Sequence, residues 1–222
     1  MPPVTMTERP VQMSASRAVP VRPWVLCAVA LLVGLAGGAL TSFGQSVLPH
    51  GWSALANSAS TWVVIAFLAG LRADRRWPWA AGAGALSQLG LVVGYYATSE
   101  VRGFAADTGS VVIWIVAGAV AGPVYGAAGA LLRHGRRAVR TAAAGVTGSV
   151  WALEGIAFLA LATSSDGGPG TTAGWCYLVV GIGLPLALTR GVRDRACALL
   201  VLAAGTGAAG IATYFLEEAF KR

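Results

Sequence analysis

One acidic residue, Glu154, stands inside an apolar run long enough to cross a membrane, RTAAAGVTGSVWALEGIAFLALAT at 140–163. An ionisable group at bilayer depth costs ~2.5–3.5 kcal/mol even on the lenient insertion scale, so it is retained for a function or held by a partner. Counted from Arg140 at ~1.5 Å per residue, Glu154 lies about 21 Å along the run, in the far half of a ~30 Å hydrocarbon core. Val150, Trp151, Ala157 and Phe158 share its helix face at the i±3 and i±4 positions. A stripe of Gly145, Gly148, Ala152 and Gly155 lies about a quarter turn away and allows a neighbouring helix to approach, so Glu154 is expected to point into a bundle. Two chemistries are open to it. It can act as a general acid that protonates an apolar substrate while aromatic faces stabilise the positive charge that develops, or as a proton or cation site on a transport path. A structural acid bonded to Asn57 or Gln88 is the third reading.

The other polar and unusual residues of the apolar runs collect mostly in the same half of the membrane: Gln45, Asn57, Ser58, Thr61, Tyr95, Trp114 and Tyr177, with Gln88 near the midplane. Asn57 and Thr61 share a face at i, i+4; Gln88 and Tyr95 do so at i, i+7. Trp24, Trp52, Trp77, Trp79 and Trp175 sit at the ends of apolar runs, as interfacial aromatics do, whereas Trp62, Trp114 and Trp151 lie deeper. The candidate substrate-binding set is therefore Gln45, Asn57, Thr61, Trp62, Gln88, Tyr95, Trp114, Trp151, Phe158 and Tyr177, with Glu154 as the catalytic candidate. Interhelical hydrogen bonding, worth ~0.6 kcal/mol on average, accounts for the amides and hydroxyls equally well. No metal or cofactor is expected, because Cys27, Cys176 and Cys197 are far apart without CxxC spacing and His50 and His134 fall at opposite membrane faces. Asp74, Asp107, Asp166 and Asp194 are isolated, which excludes a carboxylate cluster for magnesium diphosphate; no Walker sequence is present. Glu217, Glu218 and Arg222 spell EExxxR, which resembles the first motif of the glutamic intramembrane proteases, but that family needs histidines on later helices, so the reading is set aside.

The elements that must position these residues follow from composition. Of 222 residues, 56% are hydrophobic and 11% charged, outside the range of a soluble globular protein. Apolar runs at about 24–47, 53–71, 78–98, 110–132, 140–163, 174–189 and 196–216 each approach the ~20 residues of a crossing. The expected fold is all-α, a polytopic bundle of seven transmembrane helices. Residues 1–23, with five prolines and Arg9, Arg17 and Arg22, read as a disordered cytoplasmic tail, and 218–222 as a short external one. With the N-terminus inside, 13 of the 16 Lys and Arg residues fall in cytoplasmic segments, leaving Arg102, Lys221 and Arg222 outside. This clustering explains the net charge of +7 without a nucleic-acid partner. The expected partners are the bilayer and an apolar or amphiphilic small molecule; nothing in the sequence sets an oligomeric state. Four-residue glycine spacing in helix one (Gly34, Gly38), helix three (Gly90, Gly94) and helix four (Gly118, Gly122, Gly126) predicts close helix packing.

Together, LTSFGQSVLP (40–49), LANSASTW (55–62), RGF (102–104), GPVYG (122–126) and LEG (153–155) resemble a family of small multi-pass membrane proteins of high-GC Gram-positive bacteria that carries no assigned function. The likeness covers roughly residues 30–190 and implies a bacterial cytoplasmic membrane location. A second resemblance is to seven-helix membrane terpene cyclases, on Asn57 and Trp62, which match their helix-two Asn and Trp. That likeness implies acid-initiated cyclisation of an isoprenoid. The acid that follows the Trp in that family is Val63 here, so Glu154 would have to supply the proton from another helix. A proton-coupled transporter or solute-capture subunit, and an accessory membrane protein without a ligand, are the alternatives.

Overall fold

The computed structural model describes residues 22–49, 51–73, 76–163 and 169–220. Nearly all of the expected amino-terminal tail, and Lys221 and Arg222, lie outside these residues. The described chain is helical, with seven long helices and one single-turn helix: α1 (Pro23–Val47), α2 (Ser53–Ala56), α3 (Ala59–Arg72), α4 (Trp77–Val101), α5 (Thr108–His134), α6 (Arg137–Ala162), α7 (Thr171–Leu188) and α8 (Val192–Phe220). Six stretches are long and apolar enough to cross a membrane, with α2 and α3 together counting as one. The protein is thus a multi-pass membrane protein.

The long helix outside those six is α4. Four glycines, Ser87, Gln88, Tyr95, Tyr96, Ser99 and Glu100 lower its mean hydropathy. Its position explains why this composition is tolerated: α4 packs on α1, α3 and α5, and Ala80, Ala83, Gly84, Ser87, Gln88 and Leu91 are buried. A helix sheathed by other helices meets little lipid, so it can exchange apolar bulk for small residues that bring backbones together. The glycine spacing read from sequence is used in this way. A Cβ at Gly90 would stand 2.5 Å from the Leu31 carbonyl of α1, and one at Gly122 would stand 2.7 Å from the Gly84 carbonyl of α4.

Helices α1, α3, α4 and α5 form one packed unit and α6, α7 and α8 a second, with Gly148 of α6 against Gly181 of α7 and Gly145 of α6 against Ala198 of α8. The units meet where α6 touches α3 and α5 and where α8 reaches α5. Most of the described arginines lie at one end of the bundle, at the α1, α4, α6 and α8 starts and the α3, α5 and α7 ends. The opposite end holds Arg102 and Asp107 between α4 and α5.

Candidate functional site

The second apolar run is not one helix. It breaks at Asn57 and Ser58, where α2 stops after one turn and α3 begins with Ser58 as N-cap, its Oγ accepting from the Thr61 N–H at 3.4 Å. Serine competes for backbone donors and favours caps, which explains why the run restarts there. Broken backbone at bilayer depth must find its partners within the protein. Here the Trp62 indole N–H donates to the Ala56 carbonyl at 3.4 Å, and the Asn57 N–H donates to the Ala54 carbonyl at 3.1 Å.

The first N–H groups of α3 are met by Glu154 from α6. Ala59 N–H donates to Oε1 and Ser60 N–H to Oε2, each at 2.9 Å, and the Ser60 hydroxyl also donates to Oε2. A carboxylate on a helix N-terminus is favoured by both the orphan donors and the helix dipole. This bond spans the junction of the two helix units. Beside it, Ser58 Oγ and Tyr177 Oη of α7 are 3.1 Å apart, so a second polar contact ties the same break to the second unit. Tyr177 is 1% exposed, and its ring packs against Trp151 and Phe158, both with centroids 5.0 Å away.

The structure therefore brings Asn57, Thr61, Trp151, Glu154, Phe158 and Tyr177 to the α2–α3 break or to the side chains that close on it. Ser58 and Ser60, buried partners of Tyr177 and Glu154, were not in the predicted set. The sequence signal for them was Asn57-Ser58, two N-cap residue types in the middle of an apolar run. Asn57 Oδ1 is buried with no hydrogen-bond partner among the described residues. Glu154 is set as an acceptor of three bonds; acting as a general acid would require a protonated oxygen to turn from the donors that hold it toward a substrate.

Trp62 lies next to this group, with ring centroids 4.8 Å from Trp114 and 5.7 Å from Tyr95. Gln88 is spent on the fold, donating to the Trp62 carbonyl at 2.8 Å. Gln45 and Tyr95 belong to a separate pocket of about 300 Å³ at the end of α1 and α4, where the Tyr95 hydroxyl donates to Gln45 Oε1. Arg102 closes that pocket. Its guanidinium donates to the Ser42 carbonyl and to the Ser42 and Ser46 hydroxyls, and lies 4.5 Å and 5.2 Å from the Phe43 and Phe104 ring centroids. Apart from Gln88, the predicted binding residues thus divide between two neighbouring places, joined by the Trp62–Tyr95 contact, and Arg102 is an addition.

A family model described as a family of unknown function (DUF6518) matches residues 17–219, so the chain belongs to that family. No curated protein and no solved structure matches the chain.

Proposed function

We propose that this member of the DUF6518 family captures or transports a small polar solute at the break between α2 and α3. The observation that carries this reading is the Glu154 carboxyl seated on the Ala59 and Ser60 N–H groups, across the junction of two helix units. Discontinuous helices whose half-helix N-termini face an anion are a recurring device for binding solutes within a membrane. In this chain the seat is filled by the protein's own carboxyl. A solute that draws Glu154 away, or replaces it, loosens a contact between the two units and couples binding to their relative movement. Asn57 Oδ1 supplies an unspent acceptor for a solute N–H or O–H, and the Trp151, Phe158 and Tyr177 rings supply an apolar wall.

Acid-initiated cyclisation of an isoprenoid draws support from the same ring wall. It requires Glu154 to leave Ser60 and turn its proton toward the substrate, and it calls for an entry from lipid rather than from water.

That difference gives the test. In a cysteine-free background, Asn57→Cys and Gln88→Cys are treated with a membrane-impermeant maleimide. A solute site open to water labels Asn57→Cys quickly and leaves the buried Gln88→Cys unlabelled. Failure of Asn57→Cys to label from either side of the membrane overturns the solute reading.

A further inference from the structure

At the arginine-rich end, between the start of α6, the end of α7 and the start of α8, the second helix unit holds a cavity of about 640 Å³. This lies within the ~300–1,000 Å³ range of ligand pockets. Arg137, Arg140, Arg190 and Asp194 line it together with Thr141 and Thr189, while Ala187 and Leu188 form an apolar side. The charges do not cancel. Asp194 pairs with Arg137, the Nε donating to its carboxylate at 3.0 Å and 3.1 Å, whereas Arg140 and Arg190 make no ion pair among the described residues.

We infer that this cavity binds the phosphodiester head of an anionic phospholipid. Guanidinium groups bind phosphate oxygens through paired N–H donors, and Arg140 lines the cavity from α6 while Arg190 lines it from the α7–α8 connection, so they can grip one phosphate from two sides. The depth agrees with a lipid. Arg140 sits one turn inside α6 and Leu188 ends α7, which is head-group level for helices of this length. Leu188 is 39% exposed and Ala187 is also exposed, so the apolar side continues toward the acyl region. Basic pockets between transmembrane helices on the cytoplasmic side hold lipid head groups by the same physics. The occupant lies against α6, α7 and α8 alone, so its binding does not depend on the solute site.

The test uses the full chain in nanodiscs of phosphatidylcholine doped with phosphatidylglycerol, with retained phosphatidylglycerol counted by native mass spectrometry. Arg140→Gln/Arg190→Gln is compared with the charge-matched Arg72→Gln/Arg193→Gln, which alters the same end of the bundle outside the cavity. We expect the first pair to lower phosphatidylglycerol occupancy at least tenfold and the second to change it less than twofold. Equal losses in both pairs would assign the binding to the diffuse charge of that end and overturn a built site. No loss in either would overturn it as well. In a parallel arm, protein preloaded with phosphatidylglycerol in neutral detergent is titrated with inorganic phosphate. Millimolar phosphate that displaces phosphatidylglycerol as completely as added phosphatidylglycerol itself would make the occupant a free anion and overturn the lipid assignment.

Discussion

Removing the Glu154 carboxyl tests the joint on which the site depends. In Glu154→Ala, Ala59 N–H, Ser60 N–H and the Ser60 hydroxyl all lose their acceptor. Each buried donor left without a partner costs ~1–3 kcal/mol. The start of α3 should therefore open more easily by that amount per amide, which at ~1.4 kcal/mol per factor of ten is about 5- to 150-fold faster hydrogen exchange. Glu154→Gln retains one carbonyl oxygen and turns an NH2 toward the other amide, so one of the two amides should keep its protection. Global stability should shift less than local protection, because taking a carboxyl out of the bilayer relieves part of an insertion cost of ~2.5–3.5 kcal/mol. For this reason the assay is residue-resolved hydrogen exchange in detergent micelles, with Phe67 two turns further along α3 as the internal reference. If Ala59 and Ser60 exchange at wild-type rates in both variants, Glu154 does not hold α3 and the solute reading loses its foundation.

Glycine substitutions should separate seam from surface. Gly122→Ala places a methyl 2.7 Å from the Gly84 carbonyl and 2.9 Å from Ala85 Cα, and should lower the thermal midpoint through ~1–3 kcal/mol of overpacking. Gly82→Ala on the same α4 meets nothing within 4 Å and should raise it by up to ~1 kcal/mol of helix propensity. At the N-cap of α5, hydrogen bonds from the Ser110 backbone N–H and then its hydroxyl hold the Asp107 carboxyl below its usual 3.8. Its folded value is depressed, so its contribution is complete above the unfolded value and is lost as pH falls through the folded one. An acid titration of the melt should accordingly show a component that Asp107→Ala removes. Finally, the arginine distribution predicts that a reporter fused after Arg222 is active outside the cytoplasm; cytoplasmic activity would reverse the topology.

Much of the architecture was legible because it rests on composition: run lengths near a bilayer's thickness, and glycines at four-residue spacing that the structure uses as seams. Glu154 stood out for the same reason, as an acid where acids are costly. Its partner was not legible. The sequence pointed to Asn57 or Gln88 because an unbroken helix has no spare N–H in mid-span; once the run breaks at Ser58, the backbone of Ala59 and Ser60 becomes the strongest donor set near Glu154. Gln88 faces the Trp62 carbonyl instead. Gln45 and Tyr95 share depth with Glu154 but belong to another pocket, because depth along a helix says nothing about which helices are neighbours. Arg102 was read as a topology marker and as part of the RGF segment, not as a site residue, although a cation between α4 and α5 at the arginine-poor end was a signal in itself.

The polar composition of α4 bears on how the protein is made. Helix α4 buries small and polar residues, among them Gly84, Ser87, Gln88, Gly90 and Gly94, against neighbouring helices. Its burial faces are supplied by α1 and α3, which precede it, and by α5, which follows. The packing of α4 is thus completed only once a later segment has been made. A nascent chain stopped after Val101 should leave α4 accessible to water-soluble reagents, and one extended through His134 should withdraw it, so that the seam between α4 and α5 acts during biogenesis as a checkpoint on the order in which the bundle closes.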